Sequence, residues 1–389
     1  YIFESIDNNI MKILLIGEYS NLHNSLKQGL LENGHTVTLL GSGDGFKNYD
    51  VDILIKSSLF EKKILKIIAK IIDKLTGISL NEFEIFIRSI FKLNNLKGFD
   101  IVQLINERGF RTSPFMEKIL LKHIFRNNKK VFLLACGVDF TSISYSYERK
   151  FKYSILTPYF EDNSLKNEYK QTLKYLSSSY SKLSEYVKKN VVGIISSDLD
   201  YHLPYVGTEK YLGMIPNPVN IDKLKKINLK KRDKIYILHA INSKNKIKKG
   251  NRFFNDSLSI IEKKYYKKIK IIRTIDKPYL EHLKNVKDCD IIMDQVYAYD
   301  QGYNALEAMA LGKVVFTGAE DKWLELYNLK EDSVAINALP NVSKIVEKLS
   351  WLIENPIHLE NISKNARKFI MKHHNYKNIA LKYISSWEK

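Results

Sequence analysis

Short apolar runs alternate with amphipathic stretches along the chain. A run that is apolar throughout predicts a strand buried on both faces of a parallel sheet. Between the first two of these runs, Leu22, Leu26 and Leu30 recur at helical spacing, and Asn33-Gly34 marks the end of that helix. The pattern predicts a strand–helix–strand unit. The apolar runs in this part of the chain are residues 12–16, 36–40, 100–105, 130–135 and 191–195.

The same alternation restarts after residues 213–219, a segment with two prolines that we expect to link two domains. Repeated strand–helix alternation on both sides of it predicts an α/β protein with two doubly wound, Rossmann-like sheets. Beyond the linker we predict strands over 234–240, 268–272, 290–293 and 313–317, and helices over 279–286, 302–311 and much of 342–387.

The length of 389 residues suits two α/β domains. We predict a first domain over residues 11–212, completed by a C-terminal helix over 370–389, and a second domain over 213–369. Residues 1–10 precede Met11, where the first strand begins, and we expect them to be a leader or an upstream extension.

The formal net charge is +19, and most of the basic residues are Lys. Such a charge suits nucleic acid, an anionic membrane or an acidic small substrate. Because Arg is the preferred residue for reading bases and phosphates, we expect no specific nucleic-acid partner. No apolar run is long enough to cross a bilayer, and the two cysteines fit no metal-binding spacing. We therefore expect a cytoplasmic protein.

A polar loop leads from a predicted strand into a helix that carries an acidic residue. Residues 299–315 read YDQGYNALEAMALGKVV, with Gly302 before the helix and Glu307 inside it. The N-terminus of a helix offers free N–H groups to an anion, and a carboxylate accepts hydrogen bonds from vicinal hydroxyls such as those of ribose. The loop would lie at the carboxyl ends of the strands, where open α/β sheets bind ligands.

This stretch resembles the C-terminal signature of GT-B glycosyltransferases of the family 4-like group. That signature is an acidic residue, two residues, Gly, four residues and Glu-Ala-Met-Ala-x-Gly-x-Pro-Val. By this resemblance Glu307 holds the nucleotide ribose, and Gly302 lets the backbone approach the donor. The family's first Glu, which contacts the donor sugar, falls on Tyr299, and we expect Asp300 to replace it. The matching positions are Gly302, Glu307, Ala308, Met309, Ala310, Gly312 and Val315.

A second element of the resemblance is the segment HAINSKNKIKKG over residues 239–250. Family members carry a basic residue, a spacer and Lys-Gly here, and these cations bind the donor diphosphate, where negative charge develops on the leaving group. Lys249 matches the family's Lys, and Lys246 or Lys244 matches the upstream cation; the alternative is that these lysines are only solvated. The candidate catalytic residues are Lys249, Glu307 and Asp300, and the candidate donor-binding residues are Gly17, His239, Lys244, Lys246, Tyr299, Gly302, Tyr303 and Asn304.

The first half of the chain offers candidate residues for the acceptor. The loop after the first strand faces the interdomain cleft in GT-B enzymes, and other candidates follow predicted strands; the alternative for each is a solvated loop position. Two pairs, Asp198 with Asp200 and Asp288 with Asp290, have the D-x-D spacing of a metal site, but we expect no metal and no cofactor, because lysines would neutralise the donor instead. The candidate acceptor-side residues are Ser20, His23, Asn106 and Asp139.

Residues 60–75 form a basic amphipathic pattern. One helical face carries Phe60 and five aliphatic residues, and five lysines occupy much of the rest. Such a helix suits anionic lipid headgroups, so we expect a peripheral position on the inner face of a membrane; the alternative is a helix packed on the first domain.

Together these features predict transfer of a sugar from a nucleotide sugar to a hydroxyl of a glycan or lipid-linked acceptor, in the synthesis of a surface polysaccharide or glycoconjugate. The resemblance implies retention of the anomeric configuration. One alternative is a GT-B-fold sugar-nucleotide epimerase, which would need no acceptor. The other is a basic nucleic-acid-binding protein, although the chain lacks the aromatic and Arg clusters that single strands favour.

Overall fold

The computed structural model describes residues 10–44, 49–77, 79–229 and 232–389. Apart from Ile10, the leader expected over residues 1–10 therefore lies outside the described residues. A first parallel sheet is built by β1 (Lys12–Ile16), β2 (Thr36–Gly41), β3 (Ile53–Leu54), β4 (Ile101–Leu104), β5 (Lys130–Ala135), β6 (Gly193–Ser196) and β7 (Tyr211–Met214). Its strand order is β3-β2-β1-β4-β5-β6-β7.

A second parallel sheet is built by β8 (Ile235–Ile241), β9 (Ile269–Ile275), β10 (Ile291–Met293), β11 (Val314–Thr317) and β12 (Ile336–Asn337). Its strand order is β12-β11-β10-β8-β9. In both sheets the order reverses beside the strand that comes first in the chain, which is the doubly wound arrangement predicted from the sequence. We call the part of the chain around each sheet the first and the second domain.

Nine α-helices of the described residues lie before the linker. They are α1 (Leu22–Glu32), α2 (Lys63–Thr76), α3 (Leu80–Ile90), α4 (Pro114–Asn127), α5 (Phe140–Tyr147), α6 (Thr157–Glu161), α7 (Lys166–Leu173), α8 (Ser178–Asn190) and α9 (Leu199–Tyr205). Those after it are α10 (Asn251–Tyr265), α11 (Tyr279–Asp288), α12 (Tyr303–Ala310), α13 (Asp321–Tyr327), α14 (Val342–Glu354), α15 (Pro356–His373) and α16 (Tyr376–Glu388). No helix of the described residues is both long and apolar enough to span a bilayer.

The apolar runs became the central strands because helices cover both of their faces. Ile13, Leu14, Leu15 and Ile16 of β1 are fully buried, and so are Val314 and its neighbours in β11. The chain then crosses back: α16 packs on α1, and its Tyr383 and Trp387 join the core of the first sheet. The C-terminal helix thus completes the first domain.

The predicted linker begins too early. Gly213 and Met214, which we assigned to it, belong to β7, so the proposed boundary between residues 212 and 213 falls within a strand. The chain leaves the first sheet only after Met214. It then pairs with the segment that returns at the C-terminus: the Val219 N–H donates to the His374 carbonyl at 2.7 Å. The linker and the segment that returns at the C-terminus, which are the two crossings between the domains, are therefore hydrogen-bonded to each other.

Candidate active site

A cavity of 290 Å³ lies between the two domains. Its lining comes from both of them, as the cleft of two facing Rossmann-like domains requires. Phe151, Asp198, Asp200 and Tyr201 line it from the first domain, and Lys248, Lys249, Asp300, Gln301 and Gly302 line it from the second.

Lys249 reaches this cleft because Gly250 follows it. Gly250 adopts a left-handed conformation with φ 69°, and a Cβ there would lie 2.8 Å from Cβ of Val296. Only Gly allows the turn and this approach, and the Val296 N–H then donates to the Lys249 carbonyl at 2.9 Å. The Lys-Gly pair thus fixes the backbone of Lys249 against the loop that follows β10.

The ammonium of Lys249 is held by a carboxylate at the end of β10. Its Nζ lies 2.9 Å from Oδ1 of Asp294, whose side chain is almost fully buried, whereas 31% of the Lys249 side chain is exposed. Asn304 Nδ2 donates to the same oxygen at 2.9 Å, and Thr317 donates to Oδ2 at 3.3 Å. Asp294 therefore orients the Lys249 ammonium and, through its hydrogen bond with Asn304, links this ammonium to α12.

Glu307 lies one turn after Asn304 on α12, so both side chains share a helical face. Glu307 is largely buried, and its Oε1 accepts a hydrogen bond of 3.0 Å from the Tyr279 hydroxyl. Burial and this carboxylate raise the pKa of Tyr279 above its ordinary value. The ring of Tyr49, from the first domain, meets the Tyr279 ring edge-on at 5.8 Å.

The helix α11 braces both of these α12 side chains. Its His282 Nε2 donates to Asn304 Oδ1 at 2.6 Å, while its Tyr279 bonds Glu307 one turn earlier. Lys249 and Glu307 therefore belong to one connected set of side chains, which runs from the ammonium through Asp294 and Asn304 to α12.

Asp300 lies in a cluster of carboxylates between the domains. One oxygen each of Asp198, Asp200 and Asp300 lies within 4.8 Å of the other two. Asp300 Oδ2 accepts the Leu199 N–H at 3.0 Å, and Asp200 accepts the Tyr299 N–H at 3.1 Å. Burial, and then the charges of its two neighbours, raise the pKa of Asp300 well above its ordinary value. Asp300 faces the cleft cavity from the side of this cluster.

Tyr299 and Tyr303, both expected to bind the donor, instead join the two domains. The Tyr299 ring packs on Phe151 at 5.1 Å, and its hydroxyl accepts the Lys152 N–H at 2.8 Å. The buried hydroxyl of Tyr303 lies 2.6 Å from Ser25 Oγ and donates to the Pro218 carbonyl at 2.8 Å. Neither aromatic side chain lines the 290 Å³ cavity, so the structure corrects both assignments.

Among the other donor-side predictions, His239 is fully buried inside β8, so we correct its assignment as well. It accepts a hydrogen bond from Asn251 at 3.0 Å, and burial lowers its pKa to about 4. Lys244 and Lys246 are exposed on the loop before α10 and do not line the 290 Å³ cavity. Gly302 lines the cavity as the residue preceding α12, where its backbone is extended.

The predicted residues of the first domain are mostly structural, which corrects their assignment to the acceptor. His23 is fully buried between the Gly17 carbonyl, at 2.6 Å, and Gln103, at 3.3 Å. Asn106 donates to the Cys136 carbonyl at 2.9 Å, and Asp139 accepts the Ser142 N–H at 2.7 Å as the cap of α5.

Gly17 and Ser20 shape the loop after β1. Gly17 has φ 94°, and a Cβ there would lie 2.2 Å from the Ile105 side chain. The Ser20 N–H donates to Asp44 at 2.9 Å, and Asn21 is the residue preceding α1. Of these candidates for the first domain, none lines the 290 Å³ cavity.

Asp294, Tyr279, His282 and Lys248 were not selected from the sequence. Asp294 directly follows the buried run of β10, at the carboxyl end of a parallel strand, and this position was a usable signal. Tyr279 and His282 carry no such signal, because only the packing of α11 against α12 brings them to the site.

No protein-family model and no curated protein sequence matches this chain. Solved structures resemble it over nearly its whole length. Sucrose-phosphate synthase from Thermosynechococcus elongatus is 14% identical, with a TM-score of 0.60, and the match covers 97% of this chain and 98% of that one. Anabaena HepE in complex with UDP and glucose is 11% identical, with a TM-score of 0.60 and coverage of 97% and 99%.

A glycosyltransferase from Rickettsia africae is 15% identical, with a TM-score of 0.52 and coverage of 98% of both chains. At these identities the similarity establishes the fold. It confirms the prediction from the sequence: this chain has the GT-B fold of glycosyltransferases, with two Rossmann-like domains facing a cleft.

Proposed function

We propose that the protein is a glycosyltransferase that moves a sugar from a nucleotide sugar to a hydroxyl of a glycan or lipid-linked acceptor. The observation that carries the proposal is that Lys249, which lines the interdomain cavity, is linked through Asp294 to Asn304 on α12, the helix that bears Glu307. It pairs a cation with a carboxylate, as a nucleoside diphosphate requires at its two ends. HepE, of the same fold, binds UDP and glucose.

In the proposed donor complex, Lys249 contacts the diphosphate and Glu307 accepts hydrogen bonds from the ribose hydroxyls. The free N–H groups at the start of α12 add positive potential beside Gly302. Asp294 holds Lys249 in place, so the ammonium is already oriented when charge develops on the leaving phosphate. Lysine and backbone charge neutralise the donor in this scheme without a metal.

We propose that the reaction retains the anomeric configuration, as the resemblance implies. In that course the donor phosphate takes the acceptor proton on the face from which it leaves. The protein contributes positioning and electrostatic stabilisation, and no side chain forms a covalent intermediate. Asp300, which also lines the cleft cavity, is the candidate for contacts to the transferred sugar.

We also propose that α2 lies on an anionic membrane, where a lipid-linked acceptor would be presented to the first domain. Ala69 is the one buried residue of α2, while Ile64, Ile67 and Leu75 are 76%, 61% and 78% exposed. The predicted helix begins later than expected, since residues 60–62 form a turn in which the Phe60 N–H donates to Glu84.

The neighbouring helices enlarge this exposed apolar surface. α3 packs on α2 and is followed by Phe91, which is 80% exposed, and α4 packs on α3 and exposes 75% of Phe115. Lysines at 62, 63, 66, 70 and 74 surround the apolar face of α2 and match the charge of acidic headgroups. This position accounts for an apolar surface that is otherwise exposed to water.

The proposal is tested by a thermal-shift screen of nucleoside diphosphates and nucleotide sugars, because a ligand that binds only the native state raises the Tm. The donor that binds is then incubated with and without a lipid-linked acceptor. A glycosylated acceptor is the expected product, whereas an epimerised nucleotide sugar formed without acceptor would mean that the protein is an epimerase. No Tm shift with any nucleotide would contradict the proposal.

A further inference from the structure

A small enclosed cavity of 10 Å³ lies where the two crossings between the domains meet. This is about the space of one water molecule or one metal ion. Four parts of the chain line it: the first domain with Asp198, the linker with Asn217, the second domain with Asp300 and the returning segment with His374.

His374 lines this cavity and has one buried ring nitrogen without a hydrogen-bond partner among the described residues. The residue is 5% exposed, and its Nδ1 lies 2.8 Å from the Asn217 carbonyl. Because a carbonyl only accepts, Nδ1 carries the proton and Nε2 carries the lone pair. Nε2 is buried, and no described residue donates to it. A backbone carbonyl on one nitrogen and a free lone pair on the other is the usual arrangement of a metal-binding histidine.

Two oxygens beside the same cavity are also unpaired. Asn217 is 6% exposed, and its Oδ1 is buried without a hydrogen-bond donor among the described residues. Oδ1 of Asp198 is likewise buried without a donor, while its Oδ2 accepts from the Ser197 hydroxyl at 2.8 Å. A water molecule has two protons and cannot satisfy three acceptors.

The charge at this point is also uncompensated. Asp198, Asp200 and Asp300 approach each other within 4.8 Å, and none of the basic side chains described in the structure forms an ion pair with them. Carboxylates gathered between two domains repel each other unless a cation or protons neutralise them. A cation in the cavity would supply both the missing charge and the missing partner for the lone pairs.

We propose that this cavity binds one divalent transition-metal ion, held by His374 Nε2, Asn217 Oδ1 and the carboxylates of Asp198 and Asp300. One imidazole with oxygen donors suits Zn²⁺, Mn²⁺ or Co²⁺ better than Mg²⁺ or Ca²⁺. The ion would join both domains and both crossings, and so fix the angle between the domains. Asp198 and Asp300 line both cavities, but neither Lys249 nor Glu307 lines the smaller one, so the inference does not rest on the roles proposed for those two residues.

The test uses the full chain, dialysed against EDTA and then freed of chelator. Zn²⁺ binding is measured by calorimetry, and Co²⁺ binding by its visible absorption, which reports a nitrogen ligand and the coordination geometry. We expect one equivalent of either metal and a higher Tm with Zn²⁺. Absence of both Co²⁺ and Zn²⁺ binding by the dialysed protein would overturn the proposal.

The variants His374→Gln and Asp198→Asn are expected to bind Zn²⁺ at least about tenfold more weakly and to lose the Tm increase. The matched controls are His358→Gln and Asp256→Asn, which change exposed residues of the same types. Binding by His374→Gln that equals the wild type in affinity and Co²⁺ spectrum would assign the metal to another place and refute this site. If both test variants fail to fold, the Co²⁺ spectrum of the wild type decides, since a spectrum of oxygen ligands alone excludes His374.

Discussion

The ammonium of Lys249 lies 2.9 Å from the carboxylate of Asp294, and the two side chains differ sharply in exposure. Asp294 is buried, whereas Lys249 still meets the solvent of the cleft. The carboxylate therefore orients the ammonium of Lys249, and this side chain, which is still partly exposed, can also bind an anion. A bound diphosphate would meet an ammonium that is already in position, which lowers the cost of organising it during the reaction.

Lys249→Ala should lower kcat/KM by about 10²- to 10³-fold, which is the usual effect of removing one group that stabilises the charge developing on a leaving group. It should also cost roughly 2 kcal/mol of stability, because Asp294 is left buried without its cation. The double variant Lys249→Met/Asp294→Asn should recover the stability but not the activity. Donor turnover and urea denaturation measure the two effects, with Lys263→Ala as the exposed control. Recovery of activity in the double variant would show that Lys249 has only a structural effect.

Glu307→Gln should weaken nucleoside binding by roughly 10- to 100-fold, because a neutral amide is a poorer acceptor for two hydroxyls than a carboxylate. Stability should change little, since the amide oxygen still accepts from the Tyr279 hydroxyl. Calorimetric titration with the nucleoside measures the affinity, and Glu325→Gln, on an exposed face of α13, is the control. Unchanged affinity would show that Glu307 does not bind the ribose.

Tyr303→Phe should destabilise the protein by about 1–3 kcal/mol, because Ser25 and the Pro218 carbonyl lose a buried partner at the contact between the domains. The KM for the donor should stay within about twofold if this hydroxyl only joins the domains. Thermal unfolding and initial rates measure both, with the exposed Tyr266→Phe as control. A large rise in the KM for the donor with unchanged stability would show that the Tyr303 hydroxyl binds the donor after all.

The pH dependence of stability should contain a contribution from Glu18. Its side chain is buried, two hydrogen bonds of 2.8 Å from Asn24 reach one oxygen, and burial raises its pKa from 4.5 to about 7. Between these pH values the unfolded chain loses the proton and the native state keeps it, so stability falls as pH rises from 4.5 to 7.

The loss from this one group is about 3 kcal/mol across that window, and it stays constant above pH 7. Glu18→Gln should remove it, so the stability difference between the variant and the wild type should grow with pH up to neutrality. Denaturation curves at several pH values measure this, with Glu185→Gln as the exposed control. A difference that does not change with pH would place the titration elsewhere.

Vesicle binding tests the exposed face of α2. Ile67→Asn/Ile71→Asn should reduce co-sedimentation with phosphatidylglycerol vesicles by roughly tenfold or more, since two apolar side chains no longer enter the bilayer. Lys66→Gln/Lys70→Gln should weaken binding at low salt, at about 1 kcal/mol for each Lys. The control Ile260→Asn/Leu280→Asn changes exposed residues of the second domain. Equal binding to neutral and acidic vesicles, or none to either, would contradict the membrane proposal.

The fold followed from the sequence because most positions of the central parallel strands are apolar, as in β1 and β11. The edge strand β7 escaped this signal, since its residues 211–214 are partly exposed and include Gly213. The two-residue strands β3 and β12 are too short to show a pattern. Where the signal is local and apolar, the prediction of an element succeeded.

The candidate site divides in the same way. Lys249 and Glu307 were selected because local motifs, Lys-Gly and Glu-Ala-Met-Ala, mark them, and the structure links Lys249 through Asp294 to Asn304 on the helix that carries Glu307. His23 and His239 were selected by residue type near a strand end. The direction of each side chain depends on how the surrounding elements pack, and in the structure both side chains are fully buried.

One measurement tests the central claim most directly: the affinities of wild type, Lys249→Ala and Glu307→Gln for a nucleoside diphosphate and for its parent nucleoside, by calorimetry. If the ammonium contacts the diphosphate and the carboxylate the ribose, Lys249→Ala weakens binding of the diphosphate alone, and Glu307→Gln weakens binding of both. Wild-type affinities of both variants for both ligands would contradict the account.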